Sequence, residues 1–518
     1  MWRPPAVIAF VLPTLLGAQV NQPSTTVQQP PAAMRAIREA DLRRDLAFLA
    51  GDSLRGRGAG TIDEMRASVW IADEMRKIGL EPLGDFGSWF QWWNMRRTRI
   101  SSVSSSVSLN GRPMGLWTEI TPTTNTAIDV SAPTIFVSDI SDTSIDVRGK
   151  IAVALLVPPP AAAIRTTTNT YQYNYTRPAL TAMSNILSRR GAAGVIVVAD
   201  SIADQAFDGV AIVQAGGTYD VIGGVPRFNR NRAAAAAGAR PAGAGGGGAP
   251  DAAVPVLMVR RSSLESLRAD GQTVDIRLRA ESFEYPSTNI IGLVRGTDPV
   301  LRDEYVLFSS HQDHDGVRYT VDGDSIWNGA DDNGTTSVAL LAIARAFKRQ
   351  PGKRSALFVF HGAEERGLLG SRYHVAHPVV PLEKIAAVLN GDMLGRNHPD
   401  TAALLGSQPP HRNSSALVQM AIEANQATSR FEIDSLWDRP THPEGWYFRS
   451  DHVPYAERLV PALFFSSNLH SDYHTPRDEP KTIDHAKLTR ITRWMYMTGW
   501  IAANAAQRPG VDPGWVLR

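Results

Sequence analysis

The stretch ALFVFHGAEERGLLGS, residues 356–371, decides how the rest of the chain is read. Residues 356–360 form a short, continuous apolar run, the pattern of a strand buried on both faces. It runs straight into Glu364 and Glu365. Adjacent carboxylates at the end of a buried strand repel each other and lose hydration, which costs stability unless a positive group sits beside them. Two readings are open at this point. The pair can be solvated and open a helix, where negative charge suits the dipole. Alternatively, it faces a cation.

Working outward, the chain from about residue 289 repeats strand, loop and helix. Residues 305–310, 356–362, 385–392 and 461–467 read as buried strands, and 335–349 as an amphipathic helix with Thr335 or Thr336 as its cap. This alternation predicts an α/β fold, a mixed and mostly parallel sheet with helices on both faces. In such sheets ligands gather where the strands end. The ends here carry His311-Gln312-Asp313-His314, then Asp331-Asp332-Asn333, Glu364-Glu365, Asn390-Gly391-Asp392 and Tyr473-His474. One such ending is ordinary. Five on one rim point to a metal site.

Carboxylates with imidazole and no thiolate suit a hard-to-borderline divalent ion, zinc first. The supply of ligands exceeds what one structural ion takes and fits two ions sharing a bridging carboxylate, a pair that clamps both oxygens in hydrolysis. Neighbouring residues point in different directions, so one glutamate of the pair can bind metal while the other acts as a general base. His361 and Glu364 make HxxE, but residue 365 is Glu, so the HxxEH zinc motif fails.

The motifs HxD, GADDNG, GAEExGLxGS, NGDM and YHTP, in this order, resemble the M28 family of zinc peptidases over residues 289–506. A weaker likeness spans 36–130, which contains FLAGDSLRGRGAGT. The resemblance implies a zinc-peptidase/phosphorylase-like fold and two Zn2+ ions. His311, Asp331 and Asp392 would bind the first ion. Asp331 as bridge, Glu365 and His474 would bind the second. It further implies Glu364 as general base, Asp313 as the group orienting His311 through its second ring nitrogen, and Tyr473 as hydrogen-bond partner of the developing oxyanion. A cis peptide between Asp331 and Asp332 is also implied.

The remainder of the chain carries less chemistry. Residues 1–18 have one arginine, an apolar core and small residues at the end, the pattern of a secretory signal peptide. The chain has no cysteine, which excludes a lipoprotein anchor, disulfides and thiolate ligands. A secreted or periplasmic protein without a stable membrane anchor is expected. Residues 19–35 read as a disordered lead-in. Helices are expected at 37–49 and 64–78, the second closed by Gly79. Composition changes near 130, and 131–283 reads as an inserted β-rich module resembling a protease-associated domain. It has one helix at 179–189, preceded by Pro178, and a low-complexity flexible loop at 233–250. The peptidase domain is then discontinuous, 36–130 and 284–508. A formal charge of +2 and the lack of a long basic run exclude nucleic acid as a partner.

Peptides are the expected partners and aminopeptidase action the leading reading; the oligomeric state is unread. A glutaminyl cyclase-like acyltransferase, a glutamate-carboxypeptidase-like enzyme and a catalytically silent receptor-like protein are the alternatives. Carboxypeptidase action on acidic substrates needs cleft arginines, for which Arg396, Arg439 and Arg449 are candidates. His314, His452 and His470 lie near the motifs, His452 as a substrate contact or a structural residue. The other histidines read as surface or packing residues.

Overall fold

Four short apolar strands, Tyr305–His311, Ser355–His361, Ile385–Gly391 and Ala462–Ser466, lie parallel at the centre of a ten-stranded sheet. The computed structural model describes residues 29–159, 171–228 and 254–518. The expected signal peptide, the start of the lead-in and the 233–250 loop lie outside the described residues. The sheet is extended antiparallel by Thr401–Leu405 on one side and by Ala280–Val294 and Phe90–Ile100 on the other.

The buried strands obey the two-residue period. Val306, Phe308, Ala356, Phe358 and Leu389 face one core, and Leu307, Leu357 and Val388 the opposite one. Helices Glu39–Leu49, Ile62–Ile78, Thr336–Arg349 and His485–Asn504 cover the first face; Leu369–Ala376 and His452–Glu457 cover the second. Both faces are therefore closed, as the continuous apolar runs require. The Ile62–Ile78 helix is capped by the Thr61 hydroxyl, which accepts from the amides of Asp63 and Glu64, and Gly79 ends it at φ 89°. Thr335 precedes the Thr336–Arg349 helix without capping it through its side chain. Part of the expected lead-in is ordered: Ala32–Ala36 form a 3-10 turn with Ala33 and Ala36 buried.

A second, eight-stranded sheet draws its strands from Ser106 to Leu278. The module thus begins some way before residue 131, because the short strands Ser106–Leu109, Arg112–Met114 and Ile120–Pro122 belong to it. It also carries more helix than a β-rich reading allows. Tyr171–Arg189 runs through Pro178 instead of starting after it. A proline gives up one backbone bond inside a helix, but Ala179, Leu180, Met183 and Leu187 are buried in the module's core and hold the helix there. The module is stitched to the large sheet twice. Phe90–Ile100 and Ala280–Val294 pair along their length, and Thr218–Val221 returns to pair with the former. Among the described residues, no helix is long and apolar enough to cross a membrane.

The His485–Asn504 helix sets how closely the central strands are backed. A Cβ at Gly499 would lie 2.2 Å from Phe308 Cζ and 3.1 Å from Leu389 Cδ1. Gly499→Ala gains about 1 kcal/mol of helix propensity but overpacks the core, which costs about 1–3 kcal/mol. Phe308 is itself stacked on Phe358 and has little room to yield. Denaturant unfolding should show a lower midpoint for the variant; a raised midpoint would contradict this packing.

Candidate metal centre

Most predicted ligand loops follow the carboxyl end of a central strand, whereas the Asp331-Asp332 turn follows Asp324–Trp327, a strand of a separate two-stranded sheet. His311 is the last residue of its strand, and Asp392 follows Ile385–Gly391 directly. Glu364 and Glu365 sit in the turn after Ser355–His361, entered through Ala363 at φ 52°. His474 itself adopts φ 51°, and Met393 beside Asp392 adopts φ 55°. Left-handed backbone at residues other than glycine costs of order 1 kcal/mol or more and concentrates at functional sites. Gly329, at φ 58°, opens the turn that carries Asp332. A side chain there would lie 2.2 Å from the Asp332 carbonyl and 2.3 Å from the His314 ring.

The side chains converge in two groups that share Asp332: His311 with Asp392, and His314 with Glu365 and His474. Asp332 Oδ1 lies 3.2 Å from His311 Nε2, and Asp332 Oδ2 lies 3.1 Å from His474 Nε2. Asp392 Oδ2 is 3.5 Å from His311 Nε2, and Glu365 Oε2 is 3.1 Å from His474 Nε2. His314 Nδ1 is 2.8 Å from Glu365 Oε1. Glu364 stands at the edge of the first group, its Oε2 3.8 Å from His311 Nε2.

Several of these atoms are buried and make no hydrogen bond: His311 Nε2, both ring nitrogens of His314, Glu365 Oε1 and Asp392 Oδ1. Orphaned buried acceptors of this kind are costly. Nitrogen and carboxylate donors aimed at two common points fit divalent cations. The surroundings divide the carboxylates electrostatically. Burial and Glu365 push the Asp332 carboxyl up, but the imidazoles of His311 and His474 beside it outweigh them and hold it below its usual range. Burial, Glu365 and Asp392 drive the Glu364 carboxyl well above its usual range, against the opposing pull of His311.

Asp331 is not a member of either group, and the carboxylate common to both is that of Asp332. The Asp331 carboxylate turns away, accepting from the Gly395 amide at 2.7 Å and the Thr335 hydroxyl at 3.1 Å. Its pKa is pushed up to about 8 by burial and by neighbouring Asp478. The cis peptide likewise joins Asp332 to Asn333, not Asp331 to Asp332. Asp313 faces His311, but its backbone carbonyl lies 3.1 Å from Nδ1 while its carboxylate is 3.9 Å away. That carboxylate instead accepts from the amides of Glu364 and Glu365, at 3.0 and 3.3 Å.

Sequence reading missed four supports. Asp478 accepts from the amides of Asp331 and Asp332. Asp315 lies 3.3 Å from His474 Nδ1. Ser450 donates to Asp392 at 2.8 Å. Arg57, 1% exposed, donates to the carbonyls of Gln312, Asn328, Gly329 and Leu49. It thereby ties the His311 loop to the Asp332 loop. GRG at 56–58 offers no spacing signal for this role. Tyr473 does reach the site, its hydroxyl accepting from Arg449 Nη2 at 3.0 Å. His452 is buried between Tyr447 and Phe464, in a structural position. His470 lies behind the centre, 3.5 Å from Asp331. Arg396 is spent on Asp472.

A cavity of about 630 Å³ opens over the centre. The module contributes no member of the metal groups among the described residues, but Ile212, Val213, Tyr219 and Arg227 wall this cavity.

Residues 289–498 match peptidase family M28. Aminopeptidase YwaD of Bacillus subtilis (strain 168) is 26% identical over 246 residues, covering 46% of this chain and 48% of the relative. Leucine aminopeptidase 2 of Trichophyton equinum is 29% identical over 206 residues, covering 39% and 38%. The chain therefore spans about half or less of the length of these curated relatives. Two solved structures share the fold across both sheets. They are an aminopeptidase from Aneurinibacillus sp. strain AM-1 (TM-score 0.54, 16% identity, 94% of this chain and 99% of that one) and a zinc aminopeptidase from Bacillus subtilis (TM-score 0.53, 19% identity, 93% and 99%).

The exchange of roles between the two aspartates is directly measurable. Asp332→Asn removes the carboxylate common to both groups, so bound divalent metal should fall towards none. Asp331→Asn replaces a carboxyl whose pKa is near 8 with a near-isostere, so metal content should stay close to that of the parent. Elemental analysis after dialysis decides it, and the reverse pattern would return Asp331 to the centre.

Proposed function

We propose, because residues 289–498 of this chain belong to peptidase family M28, that the protein is a two-zinc exopeptidase removing amino-terminal residues from peptides. The observation that carries this reading is the pair of ligand groups sharing Asp332, with Glu364 on their rim. His311, Asp332 and Asp392 would hold one ion; Asp332, Glu365 and His474, with His314 beside them, would hold the other. Bound zinc supplies Lewis acidity towards the scissile carbonyl and lowers the pKa of water in the site.

The chain's own groups supply the proton transfers. Glu364 is not a member of either metal group, and its carboxylate stands 3.8 Å from His311 Nε2 at the edge of the first, the place of a general base. It takes the proton of the attacking water and passes it to the departing amine nitrogen. The Asp313 carboxylate, accepting from both glutamate amides, fixes the turn so that Glu364 and Glu365 face different ways. Burial keeps the Tyr473 phenol protonated. Arg449 occupies a lone pair of the Tyr473 oxygen, leaving its O–H free to donate to the developing oxyanion. An α-ammonium group matches the acidic rim formed by Glu364 and Asp392, which supports attack at the amino end. A complete second ligand group argues against a glutaminyl cyclase-like reaction, which needs one ion. The signal-like residues 1–18 support export, and the eight-stranded unit is read as the protease-associated module.

Release of free amino acids from unblocked peptides, with N-acetylated peptides as controls, tests the reading. Glu364→Gln should lose about 10²–10⁴ in rate while keeping two zinc ions per chain. Tyr473→Phe should lose about 10²–10³, mostly in kcat, as one oxyanion donor is removed. Equal hydrolysis of blocked peptides, or undiminished activity in Glu364→Gln, would overturn the assignment.

A further inference from the structure

The cavity over the metal centre is also lined by five arginines: Arg97, Arg227, Arg318, Arg366 and Arg449. Two of them are closely paired, Arg449 with Glu444 and Arg318 with Asp315, at 2.8 and 2.6 Å. Arg366 follows the Glu364-Glu365 pair directly. Its carboxylate partner is the same Asp315, at a longer 3.4 Å, and that oxygen pair also faces His474. Arg97 makes no ion pair among the described residues. Its Nε donates to the Gly216 carbonyl, and its guanidinium lies 5.6 Å over the Tyr219 ring. Arg366 lies 5.4 Å over that same ring. One aromatic face system thus gathers two guanidinium cations that would otherwise repel each other. Three chain segments build the arrangement: Arg97 from Phe90–Ile100, Tyr219 from the module's returning strand, and Arg366 from the catalytic turn. Asp315, Glu365 and Asp313 all face Arg366, so the guanidinium on this wall that lacks a carboxylate within ion-pair distance among the described residues is that of Arg97.

We propose that Arg97 and Arg366, gathered on Tyr219, form an anion subsite that takes a carboxylate of the peptide substrate close to the scissile bond. Guanidinium forks match carboxylates in geometry and charge, and the subsite opens into the same cavity as Glu364 and Tyr473. This rests on the metallopeptidase reading for the identity of the ligand as a peptide. The carboxylate is either an acidic side chain or the free carboxyl end of a very short peptide, and both present the same chemistry.

Two matched pairs of substrates separate these sources: Ala-Ala against Ala-Ala-amide, and Ala-Glu-amide against Ala-Gln-amide. In the zinc-loaded full-length protein, the carboxylate member of at least one pair should have a kcat/KM about tenfold or more higher, as charge-assisted hydrogen bonds imply. Arg97→Gln and Arg366→Gln should each bring that ratio towards one, Arg366→Lys should recover part of it, and 0.5 M salt should reduce it in the parent. The same pairs titrated calorimetrically into Glu364→Gln should show the preference in Kd without turnover. Ratios near one in the parent, or a preference untouched in both glutamine variants, would overturn the subsite. If no peptide is cleaved, the metallopeptidase reading falls separately, and the calorimetric pairs still decide whether the carboxylate is bound.

Discussion

A single carboxylate, that of Asp332, has to present one oxygen to each of two ligand groups, and much of the local structure serves that demand. Its oxygens lie 3.2 and 3.1 Å from two imidazoles, that of His311 at the end of its strand and that of His474 in the loop after Ala462–Ser466. Such a geometry survives only if the backbone carrying it cannot rotate. Asp478 fixes the amides of Asp331 and Asp332, Gly329 supplies a turn no side chain would allow, and Arg57 holds the carbonyls just upstream. The buried strands contribute the other half of the constraint. Packed from both faces, they fix His311, Asp392 and the Glu364 turn relative to one another.

The cost of this arrangement is electrostatic. Asp313, Asp332, Glu364, Glu365, Asp392 and Asp451 are gathered in one largely dehydrated region, and burying like charges together is strongly unfavourable. Part of the strain shows as raised carboxyl pKa values: burial lifts Asp313 to about 6 and Asp451 to about 7. Part is relieved by Arg57, whose own pKa burial lowers to about 10 even though acidic neighbours support its charge. His311 Nε2, both ring nitrogens of His314, Glu365 Oε1 and Asp392 Oδ1, all members of the two groups, are buried without a hydrogen bond. Divalent cations there would turn the largest destabilising feature of the fold into its strongest local attraction.

How much of this was legible in the sequence follows from the range of the interactions. Strands ending in histidine or carboxylate are local patterns, so the central strands and the ligand loops could be read from period and spacing. The choice between Asp331 and Asp332 could not. Both are aspartates in one turn, and what separates them is capture of Asp331 by the Gly395 amide and of both backbones by Asp478, contacts 64 and more residues away in sequence. Arg57 was hidden for the same reason, since all its partners are backbone carbonyls with no side-chain signature. The module's first strands were missed because the serine-rich run around 101–108 shows no apolar block. Ser106–Leu109 is held by pairing with Thr273–Leu278, far along the chain.

That late pairing bears on the site itself. Since the module leaves the large sheet through Phe90–Ile100 and returns through Ala280–Val294, it could hang as an independent appendage on a two-stranded stalk. The Thr218–Val221 strand prevents this by rejoining the large sheet beside Phe90–Ile100. Arg372 ties the next residues to the catalytic side, pairing with Asp220 and donating to the Val225 carbonyl. The helix Phe207–Gly216 and Tyr219 are thereby held as a wall of the metal cavity, not as a remote surface. Chemistry in this fold comes from the ends of the central strands, whereas the shape and charge of the space above them depend on a segment inserted between those strands' neighbours.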